Sequence, residues 1–191
     1  MRTAPQAVKY DFTLPLRLIF IAIGLMLIIS CVKHAMDYRV KAFQTNPEVI
    51  ATSALEIKKQ LQCLSRNIYW EAASEPFEGK VAVAQVTMNR MQSGKFPDTV
   101  CGVVYQKTAF YNKVVCQFSW FCETNHYTKP VYPKYYQESE EVARMVMLEG
   151  FRLSNLKNAL YYHADYVNPK WNKEKVTQIG RHIFYKDKNE N

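Results

Sequence analysis

Residues 66–90 read RNIYWEAASEPFEGKVAVAQVTMNR, and the break in the middle of this stretch decides how the chain folds. Upstream of it, Leu61, Leu64, Ile68 and Ala72 recur at the spacing of one helix face. Pro76 disfavours helical backbone in the residue before it, so that helix must stop there. Downstream, residues 79–91 form a second helical stretch. Val83, Val86 and Arg90 lie on one side, and Ala82, Ala84 and Met88 on others. A helix with small apolar residues on nearly every face belongs deep in a core. Two helices therefore meet at a turn, and Glu71 sits in the last turn before it.

The rest of the chain arranges itself around this pair. Ser53 with Glu56 three residues on has the form of a capping box, placing the start of the first helix there. Phe96-Pro97-Asp98-Thr99 breaks the chain and can cap a short helix over 100–106. Residues 110–121 are aromatic and irregular, a loop or strand. Residues 138–155 read as a helix with Val142, Met145, Val146 and Leu153 as its apolar stripe. Residues 158–163 and 178–186 alternate β-favouring and polar side chains and are expected to pair across the Asn168-Pro169 turn. No internal repeat is found. The expectation is one α+β domain over 53–191.

Ahead of it lies a different kind of sequence. Residues 18–32, LIFIAIGLMLIISCV, carry no charge, and Leu14, Pro15 and Leu16 extend the stretch across Arg17, whose stem can snorkel. An apolar segment of roughly 19 residues crosses most of a ~30 Å hydrocarbon core. The chain thus reads as a basic segment at 1–13, a transmembrane signal anchor at 14–32, and a polar linker or stalk at 33–52 containing Asn46-Pro47. A cleaved secretory signal, a lipoprotein signal ending at Cys31 and a buried hairpin helix are the alternatives. The length of the apolar core favours the anchor, with the domain outside the cytoplasm. Basic residues on both sides leave the orientation weakly specified.

With 191 residues, 48% hydrophobic and 22% charged, the chain is neither collagen-like nor low-complexity nor wholly disordered, and one core suffices for it. Its 25 Lys and Arg against 17 Asp and Glu give +8, which favours anionic partners: nucleic acid, anionic lipid or anionic cell-wall polymer. No nucleic-acid-binding module is recognisable, and a membrane segment argues against that partner. Apart from Cys31, the cysteines are Cys63, Cys101, Cys116 and Cys122. In an oxidising compartment they can form two disulfides, with three connectivities open. No CxxC pair or HExxH helix points to zinc, and no cofactor is expected. A Cys–His nucleophile, such as Cys116 with His163, is a minor alternative.

The chemistry concentrates at 66–76. At a helix C-terminus the macrodipole disfavours an ionised carboxylate, and Tyr69 and Trp70 can desolvate Glu71 further. A carboxylic acid that keeps its proton near neutral pH is what cleavage of a glycosidic bond requires. From spacing alone, an ordinary helix-surface glutamate paired with a nearby Lys or Arg is the favoured reading.

Longer blocks add to this reading. Arg66-Asn67-Ile68-Tyr69, Glu71-Ala72, Glu75-Pro76, Glu78 through Val86 and Asn89-Arg90 together resemble the opening signature of the SleB/CwlJ cell-wall hydrolase family. Residues 96–106, then Cys116-Gln117-Phe118-Ser119-Trp120, then 159–171 and 180–185 resemble its later blocks, in order, so the likeness covers about 60–186. The resemblance implies a lysozyme-like α+β catalytic domain acting on peptidoglycan. It also implies lytic transglycosylation between N-acetylmuramic acid and N-acetylglucosamine by a single glutamate, here Glu71. Glu75, Gln117, Ser119, Tyr162, His163 and Trp120 are the candidate substrate contacts, and Tyr105, Phe118 and Trp171 further rings that can stack on sugars. Glu75 or Asp165 as a second carboxylate would instead give a hydrolytic muramidase. A glycan-binding envelope domain without turnover is the non-enzymatic alternative.

Overall fold

The computed structural model describes residues 13–44, 47–111, 113–123 and 131–188. The basic segment before Thr13 and His126 lie outside them. The chain divides between Ser53 and Ala54 into two units.

In the first unit, α1 (Thr13–Gln44) contains Leu18–Lys41, 24 residues of mean hydropathy 2.3. At 1.5 Å per residue this is about 36 Å, enough to cross a bilayer core. Phe20, Met26 and Ile29 are each well over half exposed, so these apolar side chains have no protein cover. The polar stretch 33–52, expected as linker, is helical where described: α1 runs on to Gln44 and α2 (Pro47–Ala72) begins at Pro47. Proline suits a first helical position, and no breaker follows before Pro76. Ser53 is therefore inside α2 rather than capping it, and Glu56 accepts from Gln60 Nε2.

In the second unit, α3 (Phe77–Gln92) is the central element. Val81, Ala82, Val83, Ala84 and Val86 are wholly buried, as the all-round apolar pattern predicts. One side of α3 packs with Leu64 and Ile68 of α2, with Val100, Val103 and Val104 of α4 (Val100–Val104), and with Val142, Ala143 and Val146 of α6 (Pro133–Met147). The other side carries Ala82 and Val86 against Leu156, Ala159 and Phe184. Thr99 caps α4 by accepting from Gly102 N–H, as the break at 96–99 predicts. The α6 helix starts and ends earlier than its apolar stripe suggests. Gly150 at φ +73 turns the chain, and Leu153 packs from the following loop against both halves of the core.

The segment after Tyr105 resolves into a hairpin, β1 (Lys107–Phe110) with β2 (Lys113–Cys116), and a single helical turn, α5 (Ser119–Cys122). The remaining strands form an antiparallel sheet in the order β3-β5-β4: β3 (Tyr161–Ala164), β4 (Glu174–Ile179) and β5 (His182–Lys186). Residues 161–164 do pair with 182–185, as expected. The stretch 178–186 is not one strand, however: Gly180 at φ +56 folds it into a tight turn, so β5 becomes the middle strand and β4 its other neighbour.

Polar residues of α3 hold the irregular chain that leads into the sheet. Gln85 both donates to and accepts from the Leu153 backbone, Asn89 Nδ2 donates to the Leu156 and Ala159 carbonyls, and Arg90 Nε donates to Leu160 O. These bonds satisfy buried groups on both partners, which would be costly to leave unpaired. They also fix where β3 begins. The four cysteines of the unit pair as Cys63–Cys101, tying α2 to α4, and Cys116–Cys122, closing a short loop. Cys116 is therefore no thiolate, and a Cys116–His163 nucleophile is ruled out.

Candidate active site

The end of α2, the end of α3, the loop through α5 and one face of the sheet enclose a cleft of about 660 Å³. Glu71, penultimate in α2, lies in its wall, and the Tyr162 hydroxyl on β3 donates to Glu71 Oε2 at 3.0 Å. Both side chains keep a partly accessible edge toward the cleft while protein crowds them elsewhere. That crowding dominates: burial raises the Glu71 pKa, opposed by the Tyr162 hydrogen bond and Arg90, and reinforced by Glu123. Burial, with the neighbouring carboxylate, also holds Tyr162 well above the usual phenol value, so it stays a donor. The arrangement is a carboxyl group biased toward its protonated form, with one donor in place to support the anion once the proton leaves.

Arg90 lies behind this pair. Arg90 is only 4% exposed, and its guanidinium sits 5.2 Å from the ring centres of Phe96 and Phe118 and 5.9 Å from that of Tyr162. Burial lowers its pKa, but a guanidinium keeps its proton even so. The cation therefore rests among ring faces in the inner wall of the cleft. The sequence places Arg90 on this deeply buried helix and within the family-like block but gives it no role at the site.

Gln117, Ser119, Trp120, Tyr162 and His163 all line the cleft with Glu71. Their availability differs. Gln117 is half-buried and Ser119 exposed. Trp120 is 4% exposed, its indole N–H donates to Asn67 Oδ1, and it stacks near Trp70, so it serves as wall rather than open platform. His163 is engaged at both nitrogens. Nδ1 lies 2.9 Å from Ala164 O, which can only accept, so Nδ1 carries the proton and Nε2 accepts from the Tyr185 hydroxyl. His163 is thus a holder of the sheet edge, not a free donor to sugars. His182 is buried on β5 edge-on to Tyr162, and burial lowers its pKa toward the neutral form. Phe118 is core and Tyr105 packs on Phe121, whereas Trp171 is 45% exposed in the cleft wall, beside exposed Tyr166.

Neither expected second carboxylate faces the cleft. Glu75 is 9% exposed; its Oε2 accepts from Arg181 N–H and lies against Gly79 and Gly180, so it ties the α2–α3 turn to the β4–β5 turn. Asp165 turns to Arg181 Nη2 at 3.4 Å on the surface. The carboxylate that does share the cleft with Glu71 is Glu123, just past α5. Nothing in its local sequence singled it out.

A profile of the family described as "Cell Wall Hydrolase" matches residues 74–185. Two relatives are described as "Spore cortex-lytic enzyme". The one from Oceanobacillus iheyensis is 34% identical over 136 residues, covering 68% of this chain and 42% of that protein. The one from Bacillus cereus is 31% identical over 133 residues, covering 68% and 45%. The chain thus spans less than half the length of these relatives. The crystal structure of the catalytic domain of the Bacillus cereus SleB protein superposes with TM-score 0.49 at 28% identity, over 68% of this chain and 91% of that one.

Proposed function

Since this chain belongs to the cell wall hydrolase family, we propose that it cleaves peptidoglycan glycan strands, with Glu71 as the acid and then the base. The observation that carries the reading is the Tyr162–Glu71 hydrogen bond inside a cleft whose burial favours the protonated carboxyl. The relatives' description as spore cortex-lytic enzymes supports peptidoglycan as substrate.

In the lytic transglycosylase form of the reaction, the Glu71 proton passes to the oxygen bridging N-acetylmuramic acid and N-acetylglucosamine, and the C1–O bond breaks. The muramoyl C6 hydroxyl then bonds to C1 and gives its proton to the Glu71 carboxylate, leaving a 1,6-anhydro end and the acid restored. Tyr162 supports the carboxylate between the two transfers. Gln117 and Ser119 offer hydrogen bonds to the sugars, Trp171 offers a ring face, and Trp120 shapes the wall. A lysozyme-like fold for the domain belongs to the same reading. The apolar helix serves as a membrane anchor and residues 33–52 as spacer, placing the domain outside the cytoplasm.

Glu123 favours a second form, hydrolysis by a muramidase, in which that carboxylate activates water opposite Glu71. Zymography on purified peptidoglycan separates enzyme from binding module. Clearing by wild type that is lost in Glu71→Gln supports catalysis through Glu71, equal clearing by both rejects it, and pelleting without clearing indicates a glycan-binding domain. Mass spectrometry of the released muropeptides distinguishes anhydro from reducing ends.

A further inference from the structure

Four of the residues lining the cleft are consecutive: Gln117, Phe118, Ser119 and Trp120. The Cys116–Cys122 disulfide, with a sequence separation of 6, brackets this segment together with Phe121. From this coincidence we infer that the Cys116–Cys122 disulfide is a positioning element of the substrate cleft, and that the cleft is fully formed only in the oxidised chain. The inference rests on the peptidoglycan-cleaving reading above and deepens it.

Among the described residues the segment is held by the packing of its rings, with Phe121 against Tyr105 and Lys107 Nζ, and by the disulfide. The α5 helix is four residues, one turn, and its N-cap Phe118 makes no side-chain capping bond. Isolated turns of this length do not sustain themselves in water. From inside, Phe118 and Trp120 anchor it in the core, and Gln117 N–H donates to Gln106 O. Ser119 and the exit toward Glu123 are exposed and have the disulfide as their covalent tie. A bridge this short removes less freedom from the unfolded chain than Cys63–Cys101, which closes a loop with a separation of 38. The longer bridge therefore contributes more to stability, and the shorter is the one that encloses cleft residues.

They also differ in access. Cys122 is exposed and Cys116 half-buried, while Cys63 is 6% exposed and Cys101 half-buried, so only the shorter bridge has an exposed half. Thiolate attack needs access to a sulfur, so the cleft disulfide is the first to exchange. Formation balances as two thiols plus an external disulfide giving the protein disulfide plus two external thiols. Dithiothreitol runs it backward, taking up both sulfurs' exchange and leaving as its own cyclic disulfide. A chain still in a reducing compartment would hold a folded core and an unshaped cleft.

The test uses the full chain in detergent, comparing wild type with the double variant Cys116→Ser/Cys122→Ser. Turbidity of purified peptidoglycan gives KM and kcat, and hydrogen exchange read by mass spectrometry follows the peptide over 117–122 and those over α3. The double variant should show KM raised about tenfold, kcat within about threefold, and exchange about tenfold faster over 117–122 with α3 unchanged. Unchanged exchange over 117–122 overturns the inference, as does acceleration spread equally over α3. Should wild type neither bind nor clear peptidoglycan, the proposed function falls, and the exchange data still decide on the disulfide. Low dithiothreitol, titrated until Cys116–Cys122 alone is open, should reproduce the variant.

Discussion

Tyr162 and Glu71 stand 91 residues apart in sequence and share one hydrogen bond, phenol to carboxylate Oε2, at 3.0 Å. The bond favours the anion, while burial, the larger influence, favours the acid. Removing the hydroxyl leaves burial less opposed. In Tyr162→Phe the alkaline limb of the pH–activity profile should therefore move to higher pH, and kcat/KM at the optimum should fall about tenfold, the worth of one hydrogen bond to a charged group. Glu123→Gln removes a charge that raises the Glu71 pKa, so its alkaline limb should move the opposite way. Two limbs moving in the same direction would contradict this account of how the acid is tuned.

The same burial has a cost in stability with a defined pH window. The folded Glu71 pKa lies above its ordinary value of 4.5, so above pH 4.5 the unfolded chain loses the proton first. Folding then weakens as pH rises from 4.5 through the folded value, where the loss is complete. Glutamine cannot ionise and still offers an oxygen to Tyr162. Glu71→Gln should thus abolish clearing yet raise Tm at pH 7 by a few degrees, on the order expected for removing a buried charge, with no gain below about pH 4. Thermal melts across that range measure it. A variant less stable than wild type at pH 7 would show that the carboxylate is not under strain.

Much of this was legible in residues 66–90, because the features involved are local. The apolar spacing of Leu61, Leu64 and Ile68, the break at Pro76 and the small-residue helix beyond it set the helix pair, and Glu71's place in the last turn follows from them. Longer-range features were not legible. Glu75 meets Arg181 across 106 residues, and His163 finds Tyr185 only because β5 is the middle strand. That order depended on Gly180 interrupting a stretch whose alternation runs straight through it. The roles of Arg90 and Glu123 were likewise hidden, because only the folded cleft brings them to Glu71.

The two disulfides should separate in a denaturation experiment. For the Cys63–Cys101 loop the chain-entropy relation gives about 4 kcal/mol, against about 2 for Cys116–Cys122. Urea unfolding of Cys63→Ser/Cys101→Ser should show a lowered midpoint, with a slope that rises because the uncrosslinked denatured chain expands. Equal losses from both double variants would mean that native-state strain or residual structure, rather than loop length, governs these bridges.

Glu75 accepts from Arg181 N–H in the turn, outside the cleft lining, and Gly180 makes room for it. A Cβ on Gly180 would stand 1.8 Å from Glu75 Oε2, at a backbone φ of +56 that disfavours side chains. Gly180→Ala should therefore cost about 2–3 kcal/mol, combining steric conflict with left-handed backbone. Glu75→Ala removes the acceptor of Arg181 N–H and should cost about 1–3 kcal/mol by itself. In the double variant the clash disappears with the carboxylate, so the total should fall short of the sum by about 1 kcal/mol or more, the signature of contacting residues. Glu75→Gln keeps an oxygen for Arg181 and should leave kcat close to wild type. A kcat loss in Glu75→Gln comparable to that of Glu71→Gln would restore Glu75 as the second carboxylate and overturn its assignment to the turn.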